Sequence, residues 1–256
     1  MVVAAAAGPG EPYGRPRILP GMWVFPAAAA AVAVVFAGAL GRRFLERRQA
    51  HLGLWCVSMA MYAVASLAVA GGVGAGWTRT LFELYWILGA VVNVPFLAAG
   101  EVLLLSKHRV VEAAVWAVLA LVTAYTITVT RGAAIDPGAL AQQLPSGKEV
   151  FGDGSRAYGL PQLISIPSYL ILVAGAVWSA WRMRGRAALR DRFLGTLLIV
   201  VGASITAVAG SAFAAVGNAP AFSLALLAGV SVMYAGFLRA TRPARVPAAA
   251  SVVTRG

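Results

Sequence analysis

Side chains able to do chemistry are scarce in this chain. Its single cysteine, Cys56, excludes a disulfide scaffold and any Cys-rich metal site. The only lysines, Lys107 and Lys148, lie between the long apolar runs. A retinal Schiff base needs a lysine inside a late span, so that chemistry is excluded. His51 and His108 sit at the ends of apolar runs, which argues against an intramembrane bis-His haem. There is no HExxH, GxSxG or Walker A sequence. No apolar run holds a Ser–His or paired-Asp arrangement for intramembrane proteolysis, and none has the arginine periodicity of a voltage sensor. Rings of charge or carbonyl-rich filters for ion conduction are also missing. The expectation is a module with no metal and no cofactor that is not an enzyme; a lipid-modifying enzyme has the least support.

Charge is scarce too. Only 12% of the 256 residues are Asp, Glu, Lys or Arg, against 60% hydrophobic, and the mean hydropathy is +0.80. Soluble domains carry about 25% charged residues. The fold class predicted is therefore all-α, a polytopic bundle in a lipid bilayer, with no room for a large soluble catalytic domain. Spanning segments need roughly 20 apolar residues. Seven are read, at about 23–41, 52–73, 80–105, 109–130, 159–181, 193–216 and 219–238. They form a membrane domain over 23–238. An external N-terminal segment, 1–22, precedes it, and a disordered cytoplasmic tail, 239–256, follows. Pro26, Pro95, Pro161 and Pro167 fall within helical segments and predict kinks.

The net charge of +12 would point to nucleic acid in a soluble protein. Here it reads as a topology signal, and no nucleic-acid partner is expected. Fifteen of the 21 basic residues follow spans 1, 3, 5 and 7; six lie on the other side. Positive residues stay inside, so the N-terminus is expected outside and the C-terminus in the cytoplasm, in a plasma (inner) membrane. The stretch MVVAAAAGPG lacks a basic n-region and is no secretory signal, so span 1 reads as an N-out anchor. The basic loop 182–192, RMRGRAALRDR, either anchors at the anionic leaflet or docks an acidic cytoplasmic protein partner. The external loop 131–158 is long enough to serve as a lid, though a floppy connector is the simpler reading. A small helix around 137–144 is one option within it. No convincing internal repeat of a transporter type is present.

Ionisable residues inside the membrane mark function by default, and the spans offer two. Glu83 and Glu101 are five helical turns apart and share a face of span 3, roughly 27 Å from one another. That separation excludes an acid/base pair. Glu83 is read either as an interfacial acid beside Arg79 or as a ligand carboxylate. Glu101 is read either as a snorkelling acid or an internal salt bridge with Lys107, Arg109 or a loop arginine, or as a proton or ion site. Asn93 is the polar side chain at mid-membrane in span 3, an interhelical hydrogen-bonding residue or a ligand contact. In the outer halves, Thr123, Thr126 and Thr130 share one face of span 4, and Gln162, Ser165 and Tyr169 share one face of span 5. With Glu83, Tyr125, Asn218 and Ser223 at similar depths, they would line a cavity for a small or lipidic ligand from the outer side. The tryptophans Trp23, Trp77, Trp178 and Trp181 read as interface anchors; Trp55, Trp86 and Trp116 read as packing residues. The glycines of spans 6 and 7 read as sites of close helix packing.

The basic linker RRFLERRQ and the third span ELYWILGAVVNVPFLAAGEVLLL are similar in style to the N-terminal seven-helix sensory modules of bacterial histidine kinases. The excess of arginine over lysine and the alanine content resemble seven-helix membrane proteins of GC-rich bacteria. The resemblance covers about 220 residues at the level of topology and carries over no functional residue. It implies a sensor of a ligand or of the membrane state, without the kinase output domain. The expected function is a sensing, ligand-binding or partner-scaffolding module; the alternative is a small-solute or proton-coupled transporter using the acids of span 3.

Overall fold

The computed structural model describes residues 21–185 and 189–241. Among these, seven helices are long and apolar enough to cross a membrane: α1 Val24–Arg47, α2 Ala50–Ala75, α3 Arg79–Leu105, α4 Arg109–Gly132, α5 Pro161–Met183, α6 Arg190–Ala215 and α7 Ala219–Ala240. The expected N-terminal segment up to residue 20 and the tail from 242 lie outside the described residues, as do 186–188 of the basic loop. Local chemistry sets the helix starts. Thr78 and Asn218 accept from the amides of Leu81 and Ala221 and so cap α3 and α7. The α1–α2 turn closes on Arg48 in the left-handed region (φ 53°), its amide donating to the Phe44 carbonyl.

Short connections make most successive helices antiparallel. Six helices close a ring in the order α1, α2, α3, α5, α6, α7, with α7 back against α1. The fourth helix stands outside this ring and packs on α3; it buries only Leu119, Thr126 and Thr130. The tightest seam joins α6 to α7, where Gly202 and Gly229 meet. A Cβ on Gly202 would lie 2.5 Å from the Gly229 carbonyl and 2.6 Å from the Met233 amide, so neither helix can yield without moving backbone. Small residues allow this approach where lipid supplies no hydrophobic drive between helices.

Proline acts differently at each of its positions. Pro26 falls in the first turn of α1, where its missing amide breaks no helical bond, so the kink expected there does not arise. Near Pro95 and Pro167 the helices widen into π-turns, over Tyr85–Val92 and Pro161–Ser165; a third, Ile205–Gly210, occurs in α6 without proline. In a regular helix the Val91 carbonyl would accept from residue 95, which is proline. Instead the Ser165 hydroxyl sits 3.1 Å from the Val91 oxygen and 2.8 Å from that of Ala90. The π-turn in α3 also voids the five-turn register that placed Glu83 and Glu101 on one face, because that count assumed 3.6 residues per turn throughout.

The 131–158 connection corrects the floppy-connector expectation. It folds into a cap with one turn of 3-10 helix at Ala139–Ala141, inside the 137–144 stretch where the sequence leaves a small helix as an option, and a second helix at Gly147–Phe151. Leu144, Val150 and Ala157 are fully buried. The Trp77 indole donates to the Gln143 carbonyl at 2.9 Å, and the Trp86 indole to the Ala157 carbonyl at 3.2 Å. Phe151 packs against Phe82 and Trp86, with ring centroids 5.6 and 5.3 Å away. Trp77 is thus a buried clamp on this segment and not an interface anchor, whereas Trp23, Trp178 and Trp181 are exposed as anchors would be. Trp116 also lies on an exposed face.

Candidate functional site

Two cavities open within the ring, towards opposite ends. The first, about 970 Å³, lies beneath the cap and is lined by Tyr62, Tyr85, Asn93, Gln162, Ser165 and Tyr169 among others. All three π-turns contribute to its wall, through Tyr85–Ala90, Pro161–Ser165 and Thr206–Gly210. The cap closes over it with Lys148, Glu149 and Asp153. Glu149 completes a capping box: its carboxylate accepts from the Ser146 hydroxyl at 2.7 Å, and these bonds hold its carboxyl below the usual glutamate range. Lys148 and Asp153 pair at 2.9 Å, which raises the lysine and lowers the aspartate relative to their ordinary values.

Most hydroxyls here have their protons committed. Tyr62 donates to the Leu226 carbonyl at 2.8 Å, tying α2 to α7. Ser204 donates to the Val200 carbonyl, so the 2.7 Å contact between Tyr169 and Ser204 has the phenol as donor. Asn93 donates to the Ser58 carbonyl at 2.7 Å while Ser58 donates back to the Asn93 carbonyl at 3.2 Å, a reciprocal α2–α3 clasp. Gln162 is exposed. The hydroxyls of Ser66, Tyr85 and Ser211, also in the lining, make no hydrogen bond among the described residues, so the site offers both donors and lone pairs, set in apolar walls.

Of the residues singled out in the sequence, this cavity gathers Asn93, Gln162, Ser165 and Tyr169. It does not gather Glu83 or Thr126. Glu83 is held by Arg79 at 2.7 Å, one turn away, and Arg79 also donates to the Arg131 carbonyl. Thr126 and Thr130 are wholly buried, with hydroxyls that find no partner among the described residues. Asn218 is spent as a helix cap, Ser223 is buried, and Tyr125 is exposed. Tyr62, Tyr85 and Thr206 complete the lining, and the sequence did not single them out. Their periodicity is no different from that of packing residues, and only the ring order brings α2 and α6 beside α3 and α5.

The second cavity, about 860 Å³, opens at the end where α1, α3 and α5 finish. Arg43, Arg47, His51, Lys107, His108 and Arg192 stand around it. Glu101 lies among its lining at 6% exposure, its carboxyl packed against Gly175 of α5. Among the described residues its Oε1 has no hydrogen-bond partner, and no cation comes within 4 Å. The salt bridge expected with Lys107, Arg109 or a loop arginine is therefore not formed among them. Among the described residues no group of three or more metal-ligating side chains occurs.

The two cavities meet. Met59, Leu97, Leu172, Ala203 and Met233 line both, one residue each from α2, α3, α5, α6 and α7. They form an apolar septum between two spaces of ligand-binding size. No protein family, curated protein or solved structure matches this chain, so the two cavities and their septum carry the functional reading.

Proposed function

We propose that this multi-pass membrane protein passes a small solute along the axis of its six-helix ring, with the Met59–Met233 septum as its gate. The observation that carries the reading is the pair of back-to-back cavities sharing five apolar residues. A scaffold would need only a packed interior. Methionine suits a gate because its unbranched thioether rearranges at little cost. The π-turns suit the same role, since such turns recur at functional sites. The basic end is assigned to the cytoplasm on the excess of arginine around it, which puts the cap outside, in a bacterial plasma membrane.

A ligand sensor is the second reading. It is favoured by the ordered cap, which closes over one cavity as a binding loop does. The two readings differ at the septum. On a Cys56→Ser background, Ala203→Cys is introduced and probed with a small membrane-impermeant thiol reagent in oriented vesicles. A conduit labels from both sides; labelling from one side only, or from neither, overturns the transport reading. Gln162→Cys and Thr196→Cys provide one-sided controls for the cap end and the basic end.

A further inference from the structure

We propose that the basic-end cavity binds a small organic anion with an apolar body, and that Glu101 makes this binding depend on a proton. This deepens the transport reading by naming the substrate class of the same pathway.

The ion pairs among the described residues are Arg79–Glu83, Lys148–Asp153 and Arg239–Asp191. None involves Arg43, Arg47, Lys107 or Arg192, all of which line the cavity towards its mouth. The positive-inside rule explains why basic residues are at this end. It does not explain why four of them, from three separate chain segments, line one cavity while neither of its acids, Glu101 and Glu112, pairs with any of them among the described residues. Arg43 is oriented further by lying over the Phe237 ring, 5.0 Å from its centroid. The guanidinium and ammonium groups would hold a carboxylate, sulfonate or phosphate.

The walls behind the mouth are apolar, formed by Phe36, Leu40, Trp55, Leu97, Leu172 and Phe237. A bare inorganic anion would leave these surfaces wet, whereas an acyl or aryl group covers them. Glu101 then sets the condition. It lies four residues before the end of α3 at Leu105, roughly 6 Å along the helix rise, with Lys107 in the connection just beyond. An ionised Glu101 repels an anion at the mouth, and a protonated one does not. Binding of anion and proton therefore favour one another, which is the thermodynamic requirement for moving them together. The other titratable groups around the cavity are Arg43 and Arg47 from α1, His51 from α2, Lys107 and His108 between α3 and α4, Glu112 from α4, and Arg192 from α6. From α5 the carboxyl meets Gly175, and α7 contributes no titratable lining residue. Of these, the histidines are the competing source of pH dependence, and the experiment has to separate them from Glu101.

The test is calorimetric titration of the full chain in nanodiscs with benzenesulfonate, which stays ionised throughout the range used. Inorganic sulfate and benzylammonium serve as comparison probes. Benzenesulfonate is expected to bind more tightly than either, and its affinity to rise about tenfold from pH 9 to pH 5. Glu101→Gln is expected to keep the tighter affinity and lose most of the pH slope. The double variant Arg43→Gln/Arg192→Gln is expected to weaken binding about tenfold or more. Preference for benzylammonium, equal binding of sulfate, or a full pH slope retained by Glu101→Gln overturns the proposal. Two-sided labelling of Ala203→Cys without benzenesulfonate binding sinks the substrate class and leaves the conduit standing. Benzenesulfonate binding with one-sided labelling does the reverse.

Discussion

Ser165 and Pro95 should be energetically coupled, although they lie on different helices. The Val91 carbonyl loses its helical donor to Pro95, and the Ser165 hydroxyl stands in for it. Ser165→Ala is nearly isosteric, so it opens no appreciable cavity. Its effect reduces to leaving the Ala90 and Val91 carbonyls without this donor. Leaving a buried polar group unsatisfied costs about 1–3 kcal/mol, while interhelical hydrogen bonds measured in membranes average about 0.6 and reach about 1.7 kcal/mol. The low average reflects groups that find other partners. Ser165 is largely buried although it lines the cavity, so a cost of about 1–1.5 kcal/mol, towards the upper end of the membrane range, is expected. On a Pro95→Ala background the amide of residue 95 returns and can satisfy Val91. The same Ser165→Ala change should then cost less than about 0.5 kcal/mol. Reversible unfolding of the four proteins in mixed micelles, followed by helical circular dichroism, gives the coupling energy directly. An equal cost of Ser165→Ala on both backgrounds would refute the account of the α3 π-turn.

Three further outcomes follow from the fold. Gly202→Ala places a methyl against the backbone of Gly229 and Met233; overpacking of about 1–3 kcal/mol outweighs the gain of up to about 1 kcal/mol in helix propensity, so the unfolding midpoint should fall. Trp77→Phe/Trp86→Phe removes the two indole donors to the cap, so at roughly 1 kcal/mol per lost bond protease cleavage within 133–158 should accelerate about thirtyfold; unchanged protection would count against the clamp. Acid should loosen the cap. The Glu149 carboxyl is lowered in the folded cap by its bonds to Ser146, and that of Asp153 by Lys148. Their stabilisation is complete above the ordinary carboxylate range and is lost as pH falls through the lowered values. Amide exchange of the cap, corrected for intrinsic rates, should rise on acidification in the wild type and stay flat in Glu149→Gln/Asp153→Asn.

Part of the candidate site is legible in the amino-acid sequence. Gln162, Ser165 and Tyr169 sit at helical spacing on one apolar segment, and a single face is a local property, so their shared cavity follows from periodicity. Thr126 has the same kind of spacing and ended in packing, because α4 lies outside the ring. Nothing within span 4 records that exclusion. The order of the cap is hidden for a related reason: its anchors are Trp77 and Trp86, far from it in sequence. Arg43, Lys107 and Arg192 read as topology marks alone, since their convergence on one cavity depends on which helix ends are neighbours.

The sequence by itself determined the number of spanning helices, their approximate limits and the one-sided distribution of basic charge. Each is a constraint that the bilayer imposes on one segment at a time: apolar side chains over a set length, and every backbone group satisfied within its own helix. Only the tertiary structure decided which faces meet. It placed α4 outside the ring, joined α3 to α5 through Ser165, and left two adjacent cavities with an apolar septum between them. Helix pairing in lipid depends on close backbone approach and on hydrogen bonds between distant segments, and those are properties of pairs that no single span carries alone.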